Sequence, residues 1–406
     1  MLSTATMVGV VGAGAMGRGI AQVAAAAGHP VMLADARPGA AAEAHAAIDR
    51  TLASVVADGR MDATTRTALL ARITAVEKPS SGRTTIEPHT EFVDVGAFAG
   101  CGVVIEAIVE QIDAKRDLFR RLAAAVGDET VLATNTSSLS VAAIGAACPN
   151  PSRVIGLHFF NPPPLMPLVE VVPWAGTSAA IADACQALMT AWGKTAVRCS
   201  DTPGFIVNRV ARPFYGEALR IAEEGIASYA TIDWAMREIG GFRMGPFALM
   251  DFIGNDVNFA VTRAIFEGFF FEPRYRPSLT QQRLVASGLL GRKTKRGFYD
   301  YSEGAVRPSP VTDTNAGAAI FDRIRAMLIN EAVDALRLGV ATAADLDTAM
   351  VAGVNYPKGL LAWCDEVGAA TVLATLERLQ AEYGEERYRP SPLLRRAARD
   401  GTRFRA

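Results

Sequence analysis

The chain has 406 residues, half of them apolar, with 41 Lys and Arg set against 42 Asp and Glu. That balance excludes a general attraction to nucleic acid or to an anionic membrane surface, and no apolar window reaches the length of a membrane span. Five scattered cysteines (Cys101, Cys148, Cys185, Cys199, Cys364) lack metal-ligand spacing, so reduced thiols in a soluble cytoplasmic protein without a bound metal are expected. The apolar N-terminus has no basic start and is interrupted by Arg18 and Gln22, unlike a signal peptide.

The length suits two or three domains. Residues 7–11 read as a short buried strand. They run into Gly12-Ala-Gly14-Ala15-Met16-Gly17 and an alanine-rich helix that stops near Gly28. A second strand, 30–34, ends on Asp35. Gly12 permits a tight turn, Gly14 lets the backbone approach a pyrophosphate, and Gly17 lets helix and strand come close. Asp35 stands where a carboxylate accepts from ribose hydroxyls and repels a ribose phosphate, which favours NAD over NADP, with Arg37 leaving some tolerance. Strand, glycines, helix, strand and terminal acid in register make a stronger signal than the glycines alone.

Residues 38–90 read as alanine-rich helix followed by a polar loop at 78–83. Strands are expected at 102–106 and 130–133, separated by a helix at 113–125. Glu110 and Lys115 at the start of that helix read as a solvated ion pair. The polar cluster Thr134-Asn-Thr-Ser-Ser138 follows the carboxyl end of a strand, where open parallel sheets bind ligands. Ser137 can donate to a substrate oxygen and Asn135 can line the nicotinamide ribose. N-capping of the next helix by Ser137 or Ser138 accounts for the same residues equally well.

Two apolar runs, 154–157 and 168–172, are joined by a proline-rich turn and read as buried strands carrying His158 and Glu170. Of four histidines, His29, His45 and His89 fall in a turn, a polar-faced helix and a loop; only His158 is embedded in an apolar strand. A buried carboxylate needs a partner, and a carboxylate beside an imidazole fixes its tautomer and makes it a general base. A satisfied core pair is the bland alternative.

Residues 201–209 are expected to open a long amphipathic helix, with Asp201 or Thr202 as cap and Asn208 among apolar neighbours. The helical pattern runs to 297–300, and a Ser, Pro, Thr and Gly-rich linker occupies 303–317. Beyond it the pattern recurs: Glu217 with Glu331, residues 232–236 with 346–350, Gly245 with Gly359, and Arg276-Pro-Ser with Arg389-Pro-Ser. The near-constant offset marks a diverged duplication whose second copy is structural, covering the apolar face of the first. The domains expected are 1–200, 201–302 and 318–406.

These motifs together resemble the L-3-hydroxyacyl-CoA dehydrogenase family over essentially the whole chain. They are the glycine turn, Val104-Ile-Glu-Ala-Ile-Val-Glu110, the Thr134–Ser138 cluster, Gly156-Leu-His-Phe-Phe-Asn-Pro162, Leu168-Val-Glu-Val171, residues 201–209, Met244-Gly-Pro-Phe247 and Lys293-Thr294. The resemblance implies an α/β Rossmann-type NAD domain followed by two tandem all-α domains. It also implies His158 as catalytic base, Glu170 as its partner, and Ser137 and Asn208 as substrate contacts. NAD contacts would fall on Gly12, Gly14, Ala15, Met16, Gly17, Asp35, Glu110, Lys115, Asn135, Asn161 and Lys293. The duplicated second module is similar to that of the bacterial enzymes of phenylacetate breakdown, acting on 3-hydroxyadipyl-CoA or 3-hydroxybutyryl-CoA. Members of that group can carry a long insertion between the modules, and here the linker is brief. Pro167 stands where the family has Lys, and Thr51, Asp58 and Arg60 occupy the CoA-proximal region, with Thr51 the candidate substrate contact. Arg243 stands where relatives tend to have Pro; a solvated arginine and a clamp for a terminal carboxylate are the two readings. An acyl-CoA partner and a monomer or homodimer formed through the helical domains are expected. The rivals are a dehydrogenase of a free sugar acid such as gulonate and a non-catalytic, crystallin-like member of the fold.

Overall fold

The computed structural model describes residues 2–76 and 93–405 and divides into two compact units, 1–201 and 202–406. The polar loop at 78–83 and His89 lie outside the described residues.

In the first unit, β1 (Val8–Val11) leads into α1 (Ala15–Ala26) and β2 (Val31–Ala34), followed by α2 (Ala40–Ala57), α3 (Ala63–Leu70) and β3 (Ile73–Val76). Then come β4 (Val103–Glu106), α4 (Ile112–Ala125), β5 (Val131–Thr134), α5 (Val141–Gly145), β6 (Val154–Phe159), β7 (Leu168–Val172), α6 (Ala179–Ala191) and β8 (Thr195–Arg198). The sheet order is β3-β2-β1-β4-β5-β6-β7-β8, all parallel except the β6–β7 pair. Because helices cover both faces, β1, β4, β5, β6 and β7 are buried at every residue, which is why they read as unbroken apolar runs. The edge strands β3 and β8 escape sequence reading for the converse reason: each has only one fully buried residue. The single helix expected over residues 38 onward is therefore two helices and a strand. The order in which strands join the sheet reverses between the parallel strands β1 and β4, and the crevice at that switch point lies beyond the carboxyl ends of both.

All five cysteines are buried and unbridged, and burial pushes the Cys101 thiol to about 11 and Cys364 to about 12.

The second unit is helical. The first copy holds α7 (Val207–Val210), α8 (Arg212–Glu223), α9 (Tyr229–Trp234), α10 (Pro246–Ile253), α11 (Asn255–Gly268) and α12 (Leu279–Ala286). The second holds α13 (Thr314–Arg337), α14 (Ala343–Val354), α15 (Leu360–Val367), α16 (Ala369–Tyr383) and α17 (Pro392–Asp400). Three expectations are corrected here. Asp201 does not cap a helix beginning beside it. Left-handed Gly204 and Phe205 (φ 76° and 49°) break the chain before α7, and the Asp201 carboxylate instead accepts from Val141 N at 3.0 Å and Ala142 N at 2.8 Å, at the start of α5. The helical pattern stops at Ala286, and residues 291–300 form a turn closed by two short antiparallel bridges. The linker is shorter than expected, because Asp313 caps α13 at Ala316 N and Gly317 fits under the Trp234 ring, where a Cβ would lie 2.5 Å away.

The two copies join by reciprocal contacts. Glu331 of the second copy accepts from Arg209 at 2.7 Å, Arg274 at 3.1 Å and Tyr275 at 2.5 Å, all of the first. Glu217 of the first accepts from Arg323 at 2.6 Å and Tyr388 at 2.6 Å of the second. Residue i meets j and the counterpart of j meets the counterpart of i, as in an isologous dimer interface, here inside one chain. Burial opposes the charge on both glutamates, yet the surrounding guanidinium groups and tyrosine hydroxyls hold their carboxyls below the usual range. Removing one partner of such a pair leaves a buried charge uncompensated. Glu331→Gln is therefore expected to lower stability by about 3–5 kcal/mol, measured by urea denaturation.

Candidate active site

Three groups of residues gather where the parallel central strands β1, β4, β5 and β6 reach their carboxyl ends, the third joined by Glu170 from the antiparallel β7. In the first, the turn after β1 places Gly12 in a conformation with φ +103°, where a Cβ would lie 2.4 Å from Ala107 O. At Gly17 a Cβ would meet Gly12 O at 1.7 Å, so only glycine lets α1 start this close to the strand. Gly14 has nothing within 4 Å of the position of a Cβ, leaving its backbone open to a ligand. Asp35, at the end of β2, accepts from Ala13 N at 2.7 Å and Arg37 N at 2.8 Å, which ties the glycine turn to the neighbouring strand. The Arg37 guanidinium pairs with Glu43. Turn, helix N-terminus and acid fit the pyrophosphate and adenosine ribose of NAD. Ala15 and Met16 form the first helical turn behind them.

The second group departs from the expected solvated pair. Lys115 is 1% exposed, and its ammonium lies 2.5 Å from Glu106 and 3.2 Å from Glu110. Glu106 ends β4, fully buried, and also accepts from Ile108 N at 2.7 Å and Thr134 Oγ1 at 2.7 Å. The signal for it is present in the sequence, an acid closing the run Val-Val-Ile-Glu106, the same anomaly that marks Glu170. Glu110 Oε1 in turn accepts from Thr136 Oγ1 at 2.6 Å, Ser137 N at 3.0 Å and Ser138 N at 3.2 Å. The carboxylate–ammonium–carboxylate chain thus shapes the Thr134–Ser138 turn. Ser137 and Ser138 do not cap the following helix; Ser140 does, accepting from Ala143 N at 3.2 Å.

The third group is the β6–β7 pair. His158 and Glu170 are register partners on adjacent antiparallel strands, and Nδ1 of His158 lies 2.6 Å from Oε2 of Glu170. Both are buried, Glu170 completely. Asn135 Oδ1 accepts from Phe159 N at 2.8 Å, binding the end of β5 to the strand that carries the histidine. The turn between the strands, with exposed Asn161, is held by Lys194. This buried lysine, which sequence reading passes over, donates to Pro163 O at 2.5 Å and Met166 O at 2.9 Å. Gly19 of α1 meets Pro163 so closely that a Cβ would lie 2.6 Å from its ring. His29 is also buried, with Nδ1 2.9 Å from Thr6 O and its ring against Trp192, a packing role away from these groups.

The remaining candidates have other surroundings. Thr51 is exposed on α2, its hydroxyl bonded to Ala47 O at 3.0 Å. Asn208 and Lys293 belong to the second unit, Asn208 half-buried in α7 and Lys293 paired with Asp256 at 2.6 Å. Among the described residues no cluster of His, Cys, Asp and Glu could hold a metal, and no helix is long and apolar enough to cross a membrane.

A doubly wound sheet with this glycine turn, and a histidine–carboxylate pair two strands from the switch point, define the class as a dinucleotide-dependent oxidoreductase. The family follows from comparison with known proteins. Residues 7–202 match the 3-hydroxyacyl-CoA dehydrogenase NAD binding domain, and 204–301 and 320–405 match the 3-hydroxyacyl-CoA dehydrogenase C-terminal domain. The chain belongs to the 3-hydroxyacyl-CoA dehydrogenase family. It is 40% identical to 3-hydroxyadipyl-CoA dehydrogenase of Escherichia coli K12, covering 98% of each chain. It is 38% identical to 3-hydroxybutyryl-CoA dehydrogenase of Bradyrhizobium diazoefficiens, over 74% of this chain and 97% of the relative. The crystal structure of 3-hydroxybutyryl-CoA dehydrogenase from E. coli K12 superposes with a TM-score of 0.88 at 39% identity, over 98% of both chains.

Burial opposes ionisation of Glu110, but Lys115, the Thr136 hydroxyl and the turn amides hold its carboxyl below the ordinary value of 4.5. A depressed carboxyl contributes stability that is complete above the unfolded value and is lost as pH falls through the folded one. Lys115→Met should lower stability at neutral pH by about 3–5 kcal/mol by leaving Glu106 without its cation, and should flatten the part of the acid limb that Glu110 contributes. Urea midpoints between neutral and acid pH read both effects.

Proposed function

We propose that the protein oxidises a (3S)-3-hydroxyacyl-CoA to the 3-oxoacyl-CoA with NAD⁺, and that His158 is the general base. The observation that carries this reading is the His158–Glu170 pair, buried across the antiparallel junction of β6 and β7. A carboxylate at Nδ1 keeps the proton there, so the neutral ring offers Nε2 as its basic nitrogen. His158 takes the proton of the 3-hydroxyl as the C3 hydrogen leaves as hydride. The buried Glu170 carboxyl group, 2.6 Å from Nδ1, then stabilises the imidazolium that forms. The chemistry that bound NAD⁺ supplies is acceptance of that hydride. Asp35 and the open backbone at Gly14 orient the dinucleotide, and Glu110 sets the turn from which Ser137 donates to the substrate. Asn135, Asn161 and Lys293 as cofactor contacts, and Asn208 and Thr51 as substrate contacts, rest on the family resemblance. The duplicated length shared with the E. coli relative named for 3-hydroxyadipyl-CoA, and the shorter relative named for 3-hydroxybutyryl-CoA, support one of these two acyl groups.

His158→Gln is expected to reduce kcat about 10²–10⁴-fold with little change in NAD⁺ binding, since it removes proton transfer and leaves the dinucleotide site untouched. A variant turning over at the wild-type rate would end the assignment. Initial rates of NADH oxidation with acetoacetyl-CoA and 3-oxoadipyl-CoA, side by side, decide the acyl group; activity with neither, but with a free sugar acid, would replace the acyl-CoA reading.

A further inference from the structure

The first helical copy and the linker line an open cavity of about 380 Å³ whose wall carries four exposed arginines, Arg237, Arg243, Arg292 and Arg307, against one carboxylate, Asp233. That carboxylate is already engaged. It accepts from Phe247 N at 2.9 Å and Ala248 N at 2.9 Å, capping α10, and from the Tyr299 hydroxyl at 2.8 Å. Of the four arginines only Arg237 has a carboxylate within ion-pair distance among the described residues, its chain neighbour Glu238 at 3.1 Å. Two are held by aromatic faces instead. Arg307 lies 4.9 Å from the Tyr299 ring centre and 5.3 Å from that of Tyr301; Arg292 lies 5.0 Å from Phe252 and 5.6 Å from Tyr301. A guanidinium stacked by its face keeps its N–H donors in the ring plane, preorganised for bidentate bonds to phosphate or carboxylate oxygens.

The internal duplication supplies a control. The second copy repeats the elements around the cavity, with Asp347 capping Leu361 N and Ala362 N as Asp233 caps α10. At the same offset of 114 residues, Arg237 is replaced by Val351 and Arg243 by Pro357. The helical module folds without those two arginines, so the fold does not require their charge. The linker adds the fourth: Val311 N donates to Thr231 Oγ1 at 3.0 Å, holding the segment with Arg307, Pro308 and Pro310 on the cavity wall.

We propose that this cavity binds a small multivalent oxyanion, of the pyrophosphate or dicarboxylate type. Four guanidinium groups around one engaged carboxylate favour the more highly charged pyrophosphate, and Trp234 on the wall offers an apolar face to whatever organic group it bears. The residues that line the cavity belong to the second unit, the glycine turn and the His158–Glu170 pair to the first.

The test is calorimetric titration of the full chain with inorganic pyrophosphate and, separately, with adipate. It compares wild type, Arg237→Val with Arg243→Pro (the second copy's own residues), Arg307→Ala, and Arg263→Ala as an exposed charge outside the cavity. Binding at the glycine turn is common to all four proteins and cancels in the comparison. Saturable pyrophosphate binding that weakens about tenfold or more in the two cavity variants, but not in Arg263→Ala, is the expected result. Tighter binding of adipate with the same pattern of loss would support the site and assign it to carboxylates. No saturable binding of either anion, or equal affinity in wild type and cavity variants, would overturn the proposal.

Discussion

A carboxylate removed from water keeps its charge only if a cation or several donors face it, and this protein is arranged around carboxylates in that position. Glu106 and Glu170 sit inside strands with no exposure at all, and Glu217 and Glu331 lie equally deep in the helical unit. Each recruits a partner from elsewhere in the chain: Lys115 from α4, His158 from the adjoining strand, Arg323 and Arg209 from the opposite helical copy. These pairings decide which turn lies against which strand. Without Lys115 the two acids at the end of β4 could not approach the Thr134–Ser138 turn. Without Glu170 the Nδ1 atom of His158 would lose the carboxyl oxygen that lies 2.6 Å from it.

The same constraint serves different ends in the two units. In the sheet Glu106 and His158 stand at or near the carboxyl ends of parallel strands, where ligands of doubly wound folds lie, and their partners fix the turns there. In the helical unit the pairs face the other copy and lock a duplicated module onto itself. Arg209 with Glu331 and Arg323 with Glu217 are one contact written twice, 114 residues apart. Divergence between the copies is then informative. Residues preserved in both, such as Asp233 and Asp347, which accept from the N-terminal amides of α10 and α15, maintain the module. Residues found in one alone, such as the arginines at 237 and 243, are free to do something else.

Periodicity and local chemistry make much of this fold legible in the order of its amino acids. The buried parallel strands announce themselves as apolar runs, and the glycine turn with Asp35 carries its own mechanical explanation. His158 and Glu170 stand out because each is polar where its neighbours are not. The elements that escape such a reading do so for definable reasons. The edge strands β3 and β8 bury too little to show a pattern, and the start of α13 is hidden by Asp313 and Gly317, which read as linker but act as cap and close-contact glycine.

The sequence by itself therefore determined the elements with a strong apolar period, the glycine turn, the duplication and the two polar residues His158 and Glu170 inside apolar strands, because each is a local pattern or a repeated one. Only the tertiary structure decided the partners. Asp201 caps a helix about sixty residues upstream, Lys115 is buried between two acids, and Lys194 holds the proline turn by its carbonyls. Each of these is a polar side chain whose role is set by the group it meets across the fold. The sequence shows that such a group needs a partner, but not which one the chain will bring to it.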